Sequence, residues 1–117
     1  MGSRIQHQQV EVDRSQTLTE FIKEDEIKLK SGQRYDLSDM AVTSENKLLL
    51  CNRASSHNKV YIYKDYKTYE DEISLTSPPY CITVVPCTNK AVVTLPYERS
   101  IQFINTTNNT KDNRINI

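Results

Sequence analysis

Asp39-Met40-Ala41-Val42-Thr43-Ser44-Glu45-Asn46-Lys47-Leu48-Leu49-Leu50-Cys51 and Ile82-Thr83-Val84-Val85-Pro86-Cys87-Thr88-Asn89-Lys90-Ala91-Val92-Val93-Thr94 are the two stretches whose reading decides the fold. Each is a short apolar run, a polar turn ending in Asn-Lys, and a second apolar run. The period, from position 46 to position 89, is 43 residues. Working outward, Lys59-Val60-Tyr61-Ile62-Tyr63-Lys64 returns as Ser100-Ile101-Gln102-Phe103-Ile104-Asn105. Glu72-Ile73-Ser74-Leu75 returns as Arg114-Ile115-Asn116-Ile117, and Glu26-Ile27-Lys28-Leu29 is an upstream third copy of this last element. The same four elements come back in the same order, which is the signature of a repeat architecture.

Each element is short, rich in Val, Ile, Leu and Tyr, and bounded by Asn, Ser, Asp or Pro, which is strand chemistry. The runs Leu48–Cys51 and Ala91–Leu95 are nearly continuous in hydrophobicity, as in strands covered on both faces. The fourth element alternates, as in Ile73-Ser74-Leu75, and suits an outer strand with one wet face. Asn46 and Asn89 fall at turn positions where a positive φ is expected, which Asn tolerates well. Strands are predicted near residues 39–43, 47–51, 59–63, 72–75, 82–85, 91–95, 100–104 and 114–117.

Four strands per unit of about forty residues is the pattern of a propeller blade. The fold class expected is all-β, with two four-stranded antiparallel blades of an incomplete β-propeller. A β-sandwich has similar strand spacing and is the alternative. Helical spacing is absent from residue 39 onward. The division expected is residues 1–30 as a polar N-terminal segment and tail of a preceding blade, 31–75 as a first blade and 76–117 as a second. Leu18, Phe21 and Ile22 also fit one face of a helix, but the repetition of Ile27-Lys28-Leu29 downstream favours the tail. Two blades alone should leave outer faces unpaired, exposing parts of Leu48–Cys51 and Ala91–Leu95, so self-association or missing blades are expected.

Lys59–Tyr63 and Ser100–Asn105, with Tyr35–Val42 and Asn46–Asn52, carry a resemblance. Over about residues 27–117 the chain resembles the C-terminal repeat region of molluscan tripartite-motif-like proteins, divergent relatives of the NHL-repeat propellers. The resemblance implies a propeller that recognises protein or RNA, as the substrate-recognition part of a ubiquitin ligase. The zinc-binding modules that accompany such propellers need dense Cys/His spacing, which this sequence lacks. Blades of this type also carry a glycine or two each, and this chain has Gly2 and Gly32 alone.

Composition narrows the function further. The 117 residues are 37% hydrophobic and 26% charged, with 15 basic and 15 acidic side chains and a formal net charge of zero. Nucleic-acid binders usually carry a clustered basic excess, because phosphate contacts supply much of the affinity. No apolar run approaches the ~20 residues of a membrane span, so no membrane association is expected. The N-terminus has no hydrophobic segment behind Arg4, and the cysteines (Cys51, Cys81, Cys87) are odd in number. Both point to free thiols and a cytoplasmic setting. Cys51 ends an inner run and Cys87 falls in a turn, and no C-x-x-C pair occurs.

Catalysis needs a base, and His7 and His57 are the candidates. His57 follows Ser55 and Ser56 in a polar loop where neighbours cannot reach each other in the needed geometry. Glu24-Asp25-Glu26 and Glu70-Asp71-Glu72 do not match a calcium loop. No catalytic residue, metal ligand or cofactor is therefore expected. Tyr is enriched at recognition surfaces, so Tyr66 and Tyr69, with Arg53, Lys64 and Lys67, are the expected interaction surface. A protein partner is the first expectation. RNA held by Arg53, Lys59, Lys64 and Lys67 is the alternative, and a truncated gene product without an independent role is the third.

Overall fold

The structure, a computed structural model, describes residues 35–54, 57–65 and 67–117. The first sheet holds β1 (Leu37–Val42), β2 (Lys47–Ala54), β3 (His57–Lys64) and β4 (Thr68–Ser74). The second holds β5 (Ile82–Val84), β6 (Lys90–Leu95), β7 (Ser100–Asn105) and β8 (Thr110–Asn116). Both are antiparallel and four-stranded, and in both the spatial order is the chain order. That meander is the strand order of a propeller blade, and two such sheets packed face to face also fit a sandwich. The sheets approach most closely along β1 and β5, without a comparable approach between β4 and β8.

All eight predicted strands are present, and the all-β expectation stands. Residues 1–30, with the helix or tail expected there, lie outside the described residues. β4 and β8 start earlier than the apolar pattern indicated, at Thr68 and Thr110. Their polar first halves are held by the backbone ladder, which aligns Lys64 with Thr68 and Asn105 with Thr110. A strand at a sheet's outer edge needs backbone pairing more than apolar side chains. Cys51 sits inside β2, which runs three residues further to Ala54.

Alternation along β2 and β3 divides the first sheet's side chains between two cores. Leu49, Cys51, Val60, Ile62 and Ile73 face the second sheet and meet Ile82, Ala91, Val93, Leu95 and Ile104 in one buried layer. Leu48, Leu50, Tyr61 and Tyr63 occupy the opposite face with Tyr35, Leu37 and Met40. Tyr61 and Tyr63 are therefore core residues, and Tyr35 tilts against Tyr61 with ring centroids 5.4 Å apart. The expectation that parts of Leu48–Cys51 would be exposed is corrected, since all four are at most 1% accessible. In β6, Ala91, Val93 and Leu95 are buried, and the alternate residues Lys90, Val92 and Thr94 are partly open.

Near the sheets' closest edge, Asp39 ties them together. Its buried carboxylate accepts from the backbone N–H of Ile82 at 2.9 Å through Oδ2, and from the N–H of Met40 through Oδ1. The first strand of one sheet thereby supplies an acceptor to the first strand of the next. At the turn end of the sheets, Lys47 Nζ donates to the Thr106 carbonyl at 2.7 Å, again crossing between the sheets.

Glycine-poor turns are built from other residues in left-handed backbone. Asn46 takes φ 66°, as the sequence leads one to expect, but in the second sheet Cys87 (φ 62°) adopts that conformation instead of Asn89. The second turn is one residue longer. Thr43 N–H bonds Lys47 O across the first turn, and Val85 N–H bonds Lys90 O across the second. The extra residue moves the left-handed position, and Thr88 stabilises the longer loop by donating to Val85 O and accepting from Lys90 N–H.

The inter-sheet layer sets the expected response to truncation. Leu49→Ala should cost about 2–5 kcal/mol in urea unfolding, the range for a buried leucine. Tyr97→Ala, at a residue 83% exposed, should stay within about 0.5 kcal/mol. Equal losses at both sites would contradict the shared core.

Candidate interaction surface

The β1–β2 and β5–β6 turns and the end of β7 surround a cleft of about 470 Å³ lined by Thr43, Ser44, Glu45, Cys87, Thr88, Asn89 and Thr106. Repeat geometry explains its position, since equivalent turns of neighbouring sheets emerge at the same end. The lining is dominated by hydroxyl, amide and carboxylate groups, several already committed to the turns. Thr43 Oγ1 accepts from the N–H groups of Glu45 and Lys47. Asn89 Nδ2 donates to Thr107 Oγ1 at 3.4 Å. Ser44, Glu45 and Cys87 are exposed. Such a cleft can hydrogen-bond an extended polar segment on a scaffold fixed by two sheets.

A charged network braces the cleft's outer side. Lys47 pairs with Glu70 at 3.1 Å and reaches Asn109 Oδ1 at 3.2 Å, while Asn109 Nδ2 donates to Glu70 Oε2 at 2.6 Å. The Asn109 hydrogen bond, followed by Lys47, holds the Glu70 carboxyl below its ordinary value. At the opposite end of the sheets, Thr76 Oγ1 donates to Glu98 at 2.6 Å and Arg114 pairs with Glu98 at 3.2 Å. The Thr76 hydrogen bond, with Arg114 beside it, likewise lowers the Glu98 carboxyl.

The expected surface residues separate. Lys64 and Lys67 flank the β3–β4 turn with Tyr69, whereas Arg53 lies at the other end of β2, opposite Asn58, and pairs with Asp36 at 3.4 Å. Among the described residues, these four form no continuous patch, because the antiparallel register sends Lys64 and Arg53 to opposite ends. Tyr66 lies outside the described residues. Tyr69 is 36% exposed, packs edge-on against Tyr63 at 6.0 Å and donates to Glu72 Oε1 at 2.8 Å, so much of it belongs to the sheet. Lys59 pairs with Glu72. Two tyrosines that sequence reasoning passed over are more open, Tyr80 at 55% and Tyr97 at 83%. The Pro immediately before each of them, Pro79 and Pro96, was the available loop signal.

All three cysteines carry free thiols: Cys51 buried, Cys81 half-buried and Cys87 exposed. Burial pushes the Cys51 thiol well up, and the Asp39 carboxylate and Cys81 add to the shift. A thiol so raised is a poor nucleophile. Among the described residues no three His, Cys, Asp or Glu side chains converge as a metal ion would require. No helix among them is long and apolar enough to cross a membrane.

No family model matches the chain, and no curated protein matches it. Among solved structures it is similar to Kuenenia stuttgartiensis hydrazine synthase, with 23% identity and a TM-score of 0.59. The similarity covers 69% of this chain and 24% of that chain. At this identity the likeness is one of fold alone.

Two measurements follow from the site's chemistry. With a thiol reagent at neutral pH, Cys87 should react first and Cys51 only on unfolding, and prompt labelling of Cys51 would refute its burial. The second concerns pH. The folded Glu70 pKa lies below the ordinary 4.5, so its pairing stabilises fully above that value and fades as pH falls through the folded one. Wild type should therefore exceed Glu70→Gln in urea midpoint at pH 7, and the gap should close in acid. A gap that persists at pH 2 would assign the effect to shape rather than charge.

Proposed function

We propose that this chain is a two-blade portion of a β-propeller that acts in the cytoplasm as a non-enzymatic protein-interaction module. The observation that carries the reading is the cleft formed where equivalent turns of two stacked sheets converge. Variable turns on a rigid sheet scaffold are where binding sites collect in repeat folds. The lining of Thr43, Ser44, Glu45, Thr88 and Asn89 offers donors and acceptors suited to a peptide backbone. The tripartite-motif resemblance fits the same role, with the chain as the substrate-recognition part of a ubiquitin ligase. A protein partner is favoured over RNA by zero net charge and by the pairing of Lys47 and Lys59 with carboxylates. An RNA groove would leave such cations to phosphate.

Affinity capture from cells, comparing wild type with Ser44→Arg, is the direct test. The arginine fills the cleft from an exposed turn, so the fold should survive, as checked by an unchanged urea midpoint. Specific proteins retained by wild type should be lost from the variant. Recovery of crosslinked RNA in place of protein, with a steep salt dependence, would reverse the preference.

A further inference from the structure

The second sheet has one face buried against the first sheet and another that is only partly covered. Strand register identifies this open face. Val92 stands between Thr83 and Phe103, and Thr94 stands beside Ile101, which pairs with Ile115. Val92, Ile101 and Phe103 are half-buried and Ile115 is 47% exposed. The same register in the first sheet places Leu49 between Ala41 and Ile62, and Cys51 beside Val60, which pairs with Ile73. Val92, Thr94, Ile101, Phe103 and Ile115 are thus the repeat counterparts of Leu49, Cys51, Val60, Ile62 and Ile73. Those counterparts form the first sheet's half of the buried inter-sheet layer.

The polar rim repeats as well. Lys47 and Glu70 form the pair that grips Thr106 and Asn109 in the last turn of the neighbouring sheet. Lys90 and Asp112, at the same positions of the second sheet, form the equivalent ion pair. Both lie at the edge of the open face, and in the first sheet such a pair continues into the interface. An apolar centre and a lysine–carboxylate clamp are therefore both in place on a face that buries nothing comparable.

We infer that the outer face of the second sheet, centred on Val92, Ile101, Phe103 and Ile115 with Lys90–Asp112 at its rim, is a docking site for a further four-stranded blade of this same repeat. This inference rests on the propeller reading above and names the partner of one of its surfaces. The occupant presents a face like that of Ile82, Ala91, Val93 and Ile104, and a closing turn whose carbonyl and Asn side chain meet the clamp. A second copy of this chain is not that occupant. Its matching face, Leu48, Leu50, Tyr61 and Tyr63, is already buried.

The test extends the full chain after Ile117 by a second copy of residues 76–117, so that Ile117 leads into the added blade as Leu75 leads into Thr76. Urea unfolding of both chains is compared. A docked blade should keep one cooperative transition, raise the midpoint and steepen the denaturant slope roughly 1.5-fold, since the slope follows buried surface. Phe103→Asp should lower the midpoint of the extended chain by clearly more than that of the 117-residue chain, where Phe103 is only half-buried. An added blade that stays unfolded, or equal effects of Phe103→Asp in both chains, overturns the inference. So does concentration-dependent dimerisation of the 117-residue chain that Phe103→Asp abolishes, because the occupant is then a second copy. Ile62→Asp in the 117-residue chain separates the two levels: if it leaves the midpoint unchanged, the propeller reading itself fails, whereas a large drop with no docking of the added blade defeats the docking site alone.

Discussion

Everything else in this molecule depends on the apolar layer shared by the two sheets. An antiparallel four-stranded sheet has two faces, and in water at least one must be covered for it to persist. Leu49, Cys51, Val60, Ile62 and Ile73 are covered by Ile82, Ala91, Val93, Leu95 and Ile104, and neither set has another cover among the described residues. Cooperativity in this fold is therefore a property of the pair of sheets. Each sheet's strands are local in sequence, but the layer that stabilises them is not.

Two polar contacts fix how that layer is oriented. Asp39 holds Ile82 N–H near the inner edge, and Lys47 holds Thr106 O at one end. Hydrophobic burial is non-directional, so packing alone would allow the sheets to slide. A buried carboxylate bonded to one particular N–H does not, because shifting it strands a buried donor. The cleft inherits its shape from this: the β1–β2 and β5–β6 turns face each other because the sheets are pinned in register.

The interaction surface changes character once the structure is known. Tyr61, Tyr63 and much of Tyr69 are structural, and the basic residues part to opposite ends of the first sheet. The polar turns gather instead, from segments some forty residues apart. Two identical positions also behave differently according to place in the stack: Ile73 is buried and its counterpart Ile115 is nearly half exposed. The same residue is core in one repeat and surface in the next because, among the described residues, only the first has a packed neighbour on that side.

The eight strands, their order and their pairing with chain neighbours were legible in the sequence. Each is a local matter of β-rich runs separated by turn residues, repeated at a fixed period. The two-sided burial of β2 was legible too, from the unbroken run Leu48–Cys51. Strand ends at Thr68 and Thr110 were not, since backbone pairing holds polar residues that side-chain patterns cannot mark. The left-handed residue moved from Asn89 to Cys87 because one added turn residue changes which peptide must reverse. Which side chains meet across the sheets, which tyrosines are buried and which turns line the cleft were decided by tertiary structure, for a physical reason. Alternation says that a strand has two faces, but only the packed neighbour determines which of them is covered.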